Sequence, residues 1–131
     1  MLTKAILCVD DEKIILDSLK SQIKRHYGNL YKCEIALSVI EAYEVIDELL
    51  QEEIDILIIV SDWLMPGVKG DEFLIDIHKK FPNIKKLMIT GQADSAAIEN
   101  ARKNANLFAC INKPWSENDL FLVLDSALEG V

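Results

Sequence analysis

Apolar residues along the chain fall into two alternating kinds of segment. Short, largely apolar segments occur at residues 5–9, 54–60, 87–89 and 109–111, and each is followed by a polar residue. Such segments are typical of strands that are buried on both faces of a parallel sheet. In residues 31–37, apolar and polar residues alternate instead, which predicts a strand at the edge of the sheet.

Between these segments, apolar residues recur at the spacing of an α-helix. Four stripes of this kind contain Ile15, Leu19, Ile23 and Tyr27; Ala42, Ile46, Leu49 and Leu50; Phe73, Leu74, Ile77 and Phe81; and Leu120, Val123, Leu124, Ala127 and Leu128. Ser38 and Ser116 each stand three residues before an acidic residue, which predicts N-caps for two of these helices. Gly28 is predicted to end the first helix in the left-handed helical conformation. A further helix at 94–104 has Ile98 as its only large apolar residue, so we expect it to be weakly held.

The alternation of strands and helices predicts the fold class. It indicates an α/β fold of the (βα)5 type, in which a doubly wound, five-stranded parallel sheet is covered by helices on both faces. In open sheets of this kind, ligands bind beyond the carboxyl ends of the strands. The functional residues are therefore expected at the end of each strand and in the loop that follows it.

Charged and hydroxyl side chains stand at four of the five predicted strand ends. The first strand leads to Asp10 and Asp11, the third to Asp62, the fourth to Thr90 and the fifth to Lys113. Considered alone, each of these acids fits an ordinary structural role, at a helix start or in a turn, as well as it fits a functional site. Together, three carboxylates repel one another unless a cation lies among them, and their oxygens suit Mg²⁺. A lysine in the same place can hold an anionic group, so the set favours phosphoryl transfer, in which a carboxylate can itself act as the nucleophile.

Composition narrows the function classes further. The 131 residues carry 14 Lys+Arg against 22 Asp+Glu, a net charge of −8, which argues against direct nucleic-acid binding. The apolar runs are too short to span a bilayer, and the first residues do not have the pattern of a signal peptide, so a cytoplasmic location is expected without membrane association. Three cysteines without paired spacing predict neither a disulfide framework nor a zinc site.

The ordered motifs at the strand ends resemble the receiver domain of two-component response regulators. They are Cys8-Val9-Asp10-Asp11-Glu12, Ser61-Asp62-Trp63-Leu64-Met65-Pro66-Gly67, Met88-Ile89-Thr90-Gly91 and Asn112-Lys113-Pro114-Trp115. The resemblance covers about residues 4–128 of what we interpret as a single domain, 1–131. It implies a flavodoxin-like fold, similar to that of CheY, with strand order 2-1-3-4-5. It also implies a signalling domain rather than an enzyme, which receives phosphoryl groups from a sensor histidine kinase or a phosphotransfer protein.

The resemblance also implies a Mg²⁺ site and names its ligands. Asp62 and Asp11 match the positions that bind the ion directly, and Asp10 matches a position that acts through water or as a further ligand. Leu64 matches the position whose backbone carbonyl binds the metal, so its apolar side chain is compatible with this role.

The remaining implied roles concern the phosphoryl group and the switch. Asp62 matches the phosphoacceptor, and Thr90 matches the switch hydroxyl. Lys113 matches the residue whose ammonium binds the phosphoryl group, and in the family the peptide bond from this lysine to the following proline, here Pro114, is cis. The family usually has Tyr or Phe three residues before the lysine, where this chain has Cys110. Phe108, two residues earlier and on the same face of an extended strand, is a candidate to replace that aromatic ring in part.

The implied signalling surface consists of the fourth helix, the fifth strand and the fifth helix. It would contact an output domain or an effector protein, or form a homodimer. Two alternatives stay open. One is a degenerate receiver that only binds proteins. The other is a small Mg²⁺-dependent phosphohydrolase of the haloacid dehalogenase type, which expects a second Asp two residues after the nucleophile, where this chain has Leu64 after Asp62.

Overall fold

Five parallel strands form one sheet in the order β2-β1-β3-β4-β5, with a helix after each strand. The computed structural model describes residues 3–91 and 95–129. The elements are β1 (Lys4–Val9), α1 (Lys13–Tyr27), β2 (Lys32–Ala36), α2 (Val39–Gln51), β3 (Asp55–Asp62), α3 (Gly70–Lys80), β4 (Lys85–Thr90), α4 (Ser95–Ala105), β5 (Ala109–Asn112) and α5 (Glu117–Leu128). The predicted (βα)5 fold and the strand order implied by the resemblance are confirmed. None of the helices in these described ranges combines the length and the apolar character needed to cross a membrane.

Several predicted element ends can be compared with the structure. The Ser38 and Ser116 hydroxyls each accept a hydrogen bond from a backbone N–H three residues later, which confirms both N-caps. Gly28 does have a positive φ of 60°, but its ψ of −124° lies outside the left-handed helical region that we predicted. The fourth helix is described from Ser95, and its predicted first residue, Asp94, lies outside the described residues.

Each face of the sheet carries its own hydrophobic core, which explains why the strand segments are largely apolar. Along β1, Leu7 points into the core beneath α2, α3 and α4, whereas Ile6 points into the core beneath α1 and α5. Both side chains are completely buried. Because both faces are covered, the central strands have no position at which a polar side chain would meet water except at their ends.

The α4 helix contacts the rest of the domain through small residues. Its buried positions are Ala97, Ala101 and Ala105, and Ile98 is only partly buried against the core. A methyl side chain removes far less apolar surface from water than a leucine does, so α4 is held by a smaller hydrophobic free energy than the other helices. This agrees with the expectation that it is weakly held.

The turn that joins β3 to α3 brings two backbone segments into direct contact at Gly70. The Gly70 N–H donates to the Trp63 carbonyl at 2.7 Å. A Cβ atom on Gly70 would lie 2.1 Å from the Asp62 carbonyl oxygen and 2.8 Å from the Trp63 Cα. Only glycine fits here, and its close approach holds the end of β3 against the start of α3.

We therefore predict that Gly70→Ala destabilises the domain. The methyl group must displace the backbone of Asp62 or Trp63, so the free energy of unfolding should fall by about 2 kcal/mol or more in urea denaturation. Gly91→Ala is the matched control, because the nearest atom to its added Cβ, the Lys113 carbonyl oxygen, is 3.5 Å away. Equal stability of the two variants would contradict the close packing at Gly70.

Candidate functional site

The carboxyl ends of four strands open into one cleft of about 690 Å³, whose lining includes Asp11, Asp62, Thr90 and Lys113. One carboxylate oxygen each from Asp10, Asp11 and Asp62 lie within 4.8 Å of one another. The β1–β3 pairing aligns Val9 with Ser61, so the acids that follow these two residues become neighbours. The structure thus brings together all five polar side chains that we expected at the strand ends from the sequence.

The three carboxylates differ in their surroundings. Asp10 is completely buried, and its two oxygens accept hydrogen bonds from the Glu12 backbone N–H and from the Lys113 ammonium, both at 2.8 Å. Asp62 is 4% exposed, whereas Asp11 is exposed. Asp10 is therefore largely satisfied by the protein, while the carboxylates of Asp11 and Asp62 face the cleft.

Lys113 provides the positive charge at the centre of this acidic cluster. Its ammonium lies 2.8 Å from an oxygen of Asp10 and 3.3 Å from an oxygen of Asp62. Burial lowers the pKa of Lys113, but the hydrogen bonds and charges of the two carboxylates outweigh this effect, and the pKa is raised overall. The bond between Lys113 and Pro114 is cis, as the resemblance implied. The ammonium thus stays charged and can contact an anionic group bound at Asp62.

The environment of Asp62 makes its ionisation costly. Burial raises the pKa of its carboxyl from 3.8 to about 6, and the negative charge of Asp10 adds to the rise. Lys113 acts in the opposite direction through its charge and its hydrogen bond, without cancelling the other effects. A group that adds positive charge beside Asp62 would relieve this cost, which is what a cation in the cleft does.

The donor set suits a hard divalent ion. The clustered atoms are all carboxylate oxygens, and neither Cys nor His belongs to this group. Leu64, in the loop that follows β3, also lines the cleft. The carboxylates of Asp10, Asp11 and Asp62 therefore fit such an ion.

The structure separates the residues that sequence analysis assigned to the switch. Thr90 is buried at the end of β4 and lines the cleft. Cys110 pairs in register with Met88, two residues before Thr90, and burial raises the pKa of its thiol, so it adds no charge there. Phe108 precedes β5, and its ring lies 5.5 Å from the Lys85 ammonium at the opposite end of β4. Phe108 is therefore not brought near Thr90.

Two residues beside the site were not identified from the sequence as part of it. The Lys69 ammonium lies 5.3 Å from the centre of the Trp63 ring, and Lys69 also lines the cleft. The Trp63 indole N–H donates to the Asp71 carboxylate at 3.1 Å. An acid directly after the glycine at the start of an apolar helix was the only available signal for Asp71, and it equally fits an ordinary helix start.

Comparison with known proteins agrees with this geometry. The family model described as "Response regulator receiver domain" matches residues 6–125. The hydrogenase transcriptional regulatory protein HoxA of Cupriavidus necator is 30% identical over 95% of this chain. The chain spans 24% of the length of that relative.

Solved structures give the same result. A CheY-like response regulator receiver domain protein from Methanospirillum hungatei is 32% identical, with a TM-score of 0.83 over 98% of this chain and 95% of the other. The beryllofluoride-activated receiver domain dimer of NtrC4 is 27% identical, with a TM-score of 0.82 over 98% of each chain. This chain belongs to the response regulator receiver domain family, whose members are signalling domains rather than classical enzymes.

Proposed function

We propose that Asp62 accepts a phosphoryl group from a phosphohistidine on a sensor kinase or a phosphotransfer protein. The observation that carries this proposal is the position of the Asp62 carboxylate, which lines an open cleft 3.3 Å from the Lys113 ammonium. In the proposed step, an Asp62 oxygen forms a bond to phosphorus while the bond from phosphorus to the imidazole nitrogen breaks. The imidazole keeps the electron pair of that bond, and the product is an aspartyl phosphate.

The other residues position charge around this reaction. Asp11, Asp62 and the Leu64 carbonyl would hold Mg²⁺, with Asp10 acting through water or as a further ligand. When bound, the ion neutralises the charge that the phosphoryl oxygens carry in the transition state. Lys113, which already contacts Asp62, would hold one oxygen of the transferred group.

The phosphorylated state would be communicated through Thr90 to the surface formed by α4, β5 and α5. Thr90 lies at the cleft end of β4, the neighbour of β5 in the sheet, and the buried positions of α4 are all alanines. Leu122 on α5 is 69% exposed, which leaves apolar surface for an output domain, an effector or a second receiver. Such a domain would act in the cytoplasm, where sensor kinases present their phosphohistidine.

Phosphate labelling tests the acceptor. We expect the wild type to be labelled by a radioactive small phosphodonor such as acetyl phosphate in the presence of Mg²⁺, and to lose this labelling when the ion is chelated. Asp62→Asn should not be labelled, because an amide oxygen is a far weaker nucleophile than a carboxylate. Asp55→Asn is the matched control, since Asp55 is exposed at the opposite end of the same strand. Labelling of Asp62→Asn at the wild-type level would disprove the assignment.

Asp62 should also reduce stability, since its negative charge is held among other acids. Its pKa is higher in the folded chain, so the folded state binds more protons than the unfolded state between pH 3.8 and about 6. The free energy of unfolding therefore falls as the pH rises through that range, because the folded state loses the proton that it binds more tightly than the unfolded state does. Without divalent ions at neutral pH, we expect Asp62→Asn to be about 1 to 3 kcal/mol more stable than the wild type. The difference should vanish below pH 3.8, and a difference that is independent of pH would contradict this explanation.

If Thr90 is the switch residue, its substitution should leave binding of a phosphoryl analogue intact but remove the structural response in β5 and α5. Thr90→Ala should still bind beryllofluoride, a phosphoryl analogue, because the carboxylates and Lys113 are intact. The changes in amide hydrogen exchange that the analogue causes in β5 and α5 should be greatly reduced. Thr90→Ser, which keeps the hydroxyl, should restore them. If both variants respond like the wild type, Thr90 is not part of the switch.

A further inference from the structure

Trp63, the residue directly after the proposed phosphoacceptor, is held on three sides. Its carbonyl accepts a hydrogen bond from the Gly70 N–H at 2.7 Å, and its ring faces the Lys69 ammonium. Its indole N–H donates to Oδ1 of Asp71 at 3.1 Å. These contacts connect both ends of the loop that carries Leu64, so the loop cannot move without changing at least one of them.

Asp71 joins this loop to α4. Asp71 is 8% exposed, and the second oxygen of its carboxylate, Oδ2, accepts a hydrogen bond from the Asn100 side-chain amide at 3.0 Å. Asp71 lies in the first turn of α3, where the helix dipole favours a negative charge. In the described part of the chain, no basic side chain lies within 4.0 Å of this carboxylate, and the two N–H donors are its partners.

The Asn100 amide is itself oriented by α4. Its Oδ1 accepts a hydrogen bond from the Asn104 amide, one turn later, at 2.8 Å, so its nitrogen is the atom that faces Asp71. Since the buried positions of α4 are all alanines, this bond to a buried carboxylate adds a directional interaction to the contacts that hold the helix. A bond of this kind specifies the rotation of a helix, which contacts between methyl groups do not.

We propose that Asp71 is a positioning residue that couples the phosphoryl site to α4, through Trp63 on one side and Asn100 on the other. The inference rests on the proposed phosphorylation of Asp62. The two bonds belong to the arrangement in which Lys113 contacts the free carboxylate of Asp62. Together they hold α4 in that arrangement and oppose its movement when Asp62 carries a phosphoryl group. By linkage, weakening either bond favours the phosphorylated arrangement.

Beryllofluoride binding in the presence of Mg²⁺ tests this coupling on the full chain. Asn100→Ala removes the donor on α4, and Trp63→Phe removes the indole N–H while keeping a ring beside Lys69. Each should bind beryllofluoride about fivefold more tightly than the wild type, measured by calorimetry. Lys103→Ala, an exposed substitution on the same helix, is the matched control and should bind like the wild type. Both test residues are partly exposed, so neither substitution empties a core position.

The double variant provides the sharper criterion. Because both bonds act through Asp71 in series, Trp63→Phe combined with Asn100→Ala should bind about as tightly as either single variant, not with the product of the two effects. In Asn100→Ala, the indole ¹H–¹⁵N resonance of Trp63 should also shift. That of Trp115, which donates to Gln22, serves as the internal reference and should stay in place.

The outcomes separate the two proposals. Tighter binding with non-additive effects supports the coupling, because a merely destabilised domain would bind the analogue more weakly. Unchanged or weaker binding in both single variants, or multiplicative effects in the double variant, overturns the coupling while leaving the phosphoacceptor intact. A wild type that does not bind beryllofluoride overturns the proposed function and the coupling with it.

Discussion

The contact of the Lys113 ammonium with the carboxylates of Asp10 and Asp62 is the interaction on which the site depends. Three acids at the ends of buried strands repel one another, and Lys113 is the basic residue that meets two of them at hydrogen-bond distance. It can do so because the Lys113 N–H donates to the Thr90 carbonyl, which attaches the loop after β5 to the end of β4. The order of the strands thus determines which charges meet, and the charges determine the chemistry.

The unfavourable free energy of placing these acids together in the cleft is offset by packing elsewhere in the fold. Burial is the main cause of the raised pKa of Asp62, and the negative charge of Asp10 adds to it. The pKa of Lys113 is raised by the Asp10 and Asp62 carboxylates, against the effect of burial. Two hydrophobic cores, one on each face of the sheet, supply the stability that the cleft lacks. Stability is therefore concentrated around the central strands, and the cleft and α4 are the parts whose free energy a ligand can change most easily.

The amino-acid sequence was sufficient for the parts of this structure that depend on local pattern. Apolar spacing predicted the ten elements, and the rule that strand ends share one edge predicted the neighbours of Asp62. Strand order came from the family resemblance, because periodicity carries no information about which strands pair. Phe108 was chosen because residues two apart in an extended chain share a face, but it lies before the start of β5, with its ring near Lys85 and away from the cleft. The bonds of Asp71 could not be predicted, since they depend on how α3 and α4 approach each other and on the conformation of three side chains.

The character of α4 connects these observations. A helix that rests on alanines loses little free energy when it shifts, but for the same reason its position is poorly specified by packing alone. Directional bonds to a buried charge can supply that specification while still being replaceable, because the partners of Asp71 are two neutral N–H groups rather than a fixed cation. Thr90 and Asp71 would then act on α4 from different sides. Under these two proposals, contact of the Thr90 hydroxyl with the phosphoryl group would favour a new arrangement, and the bonds of Asp71 would determine how much free energy that change needs.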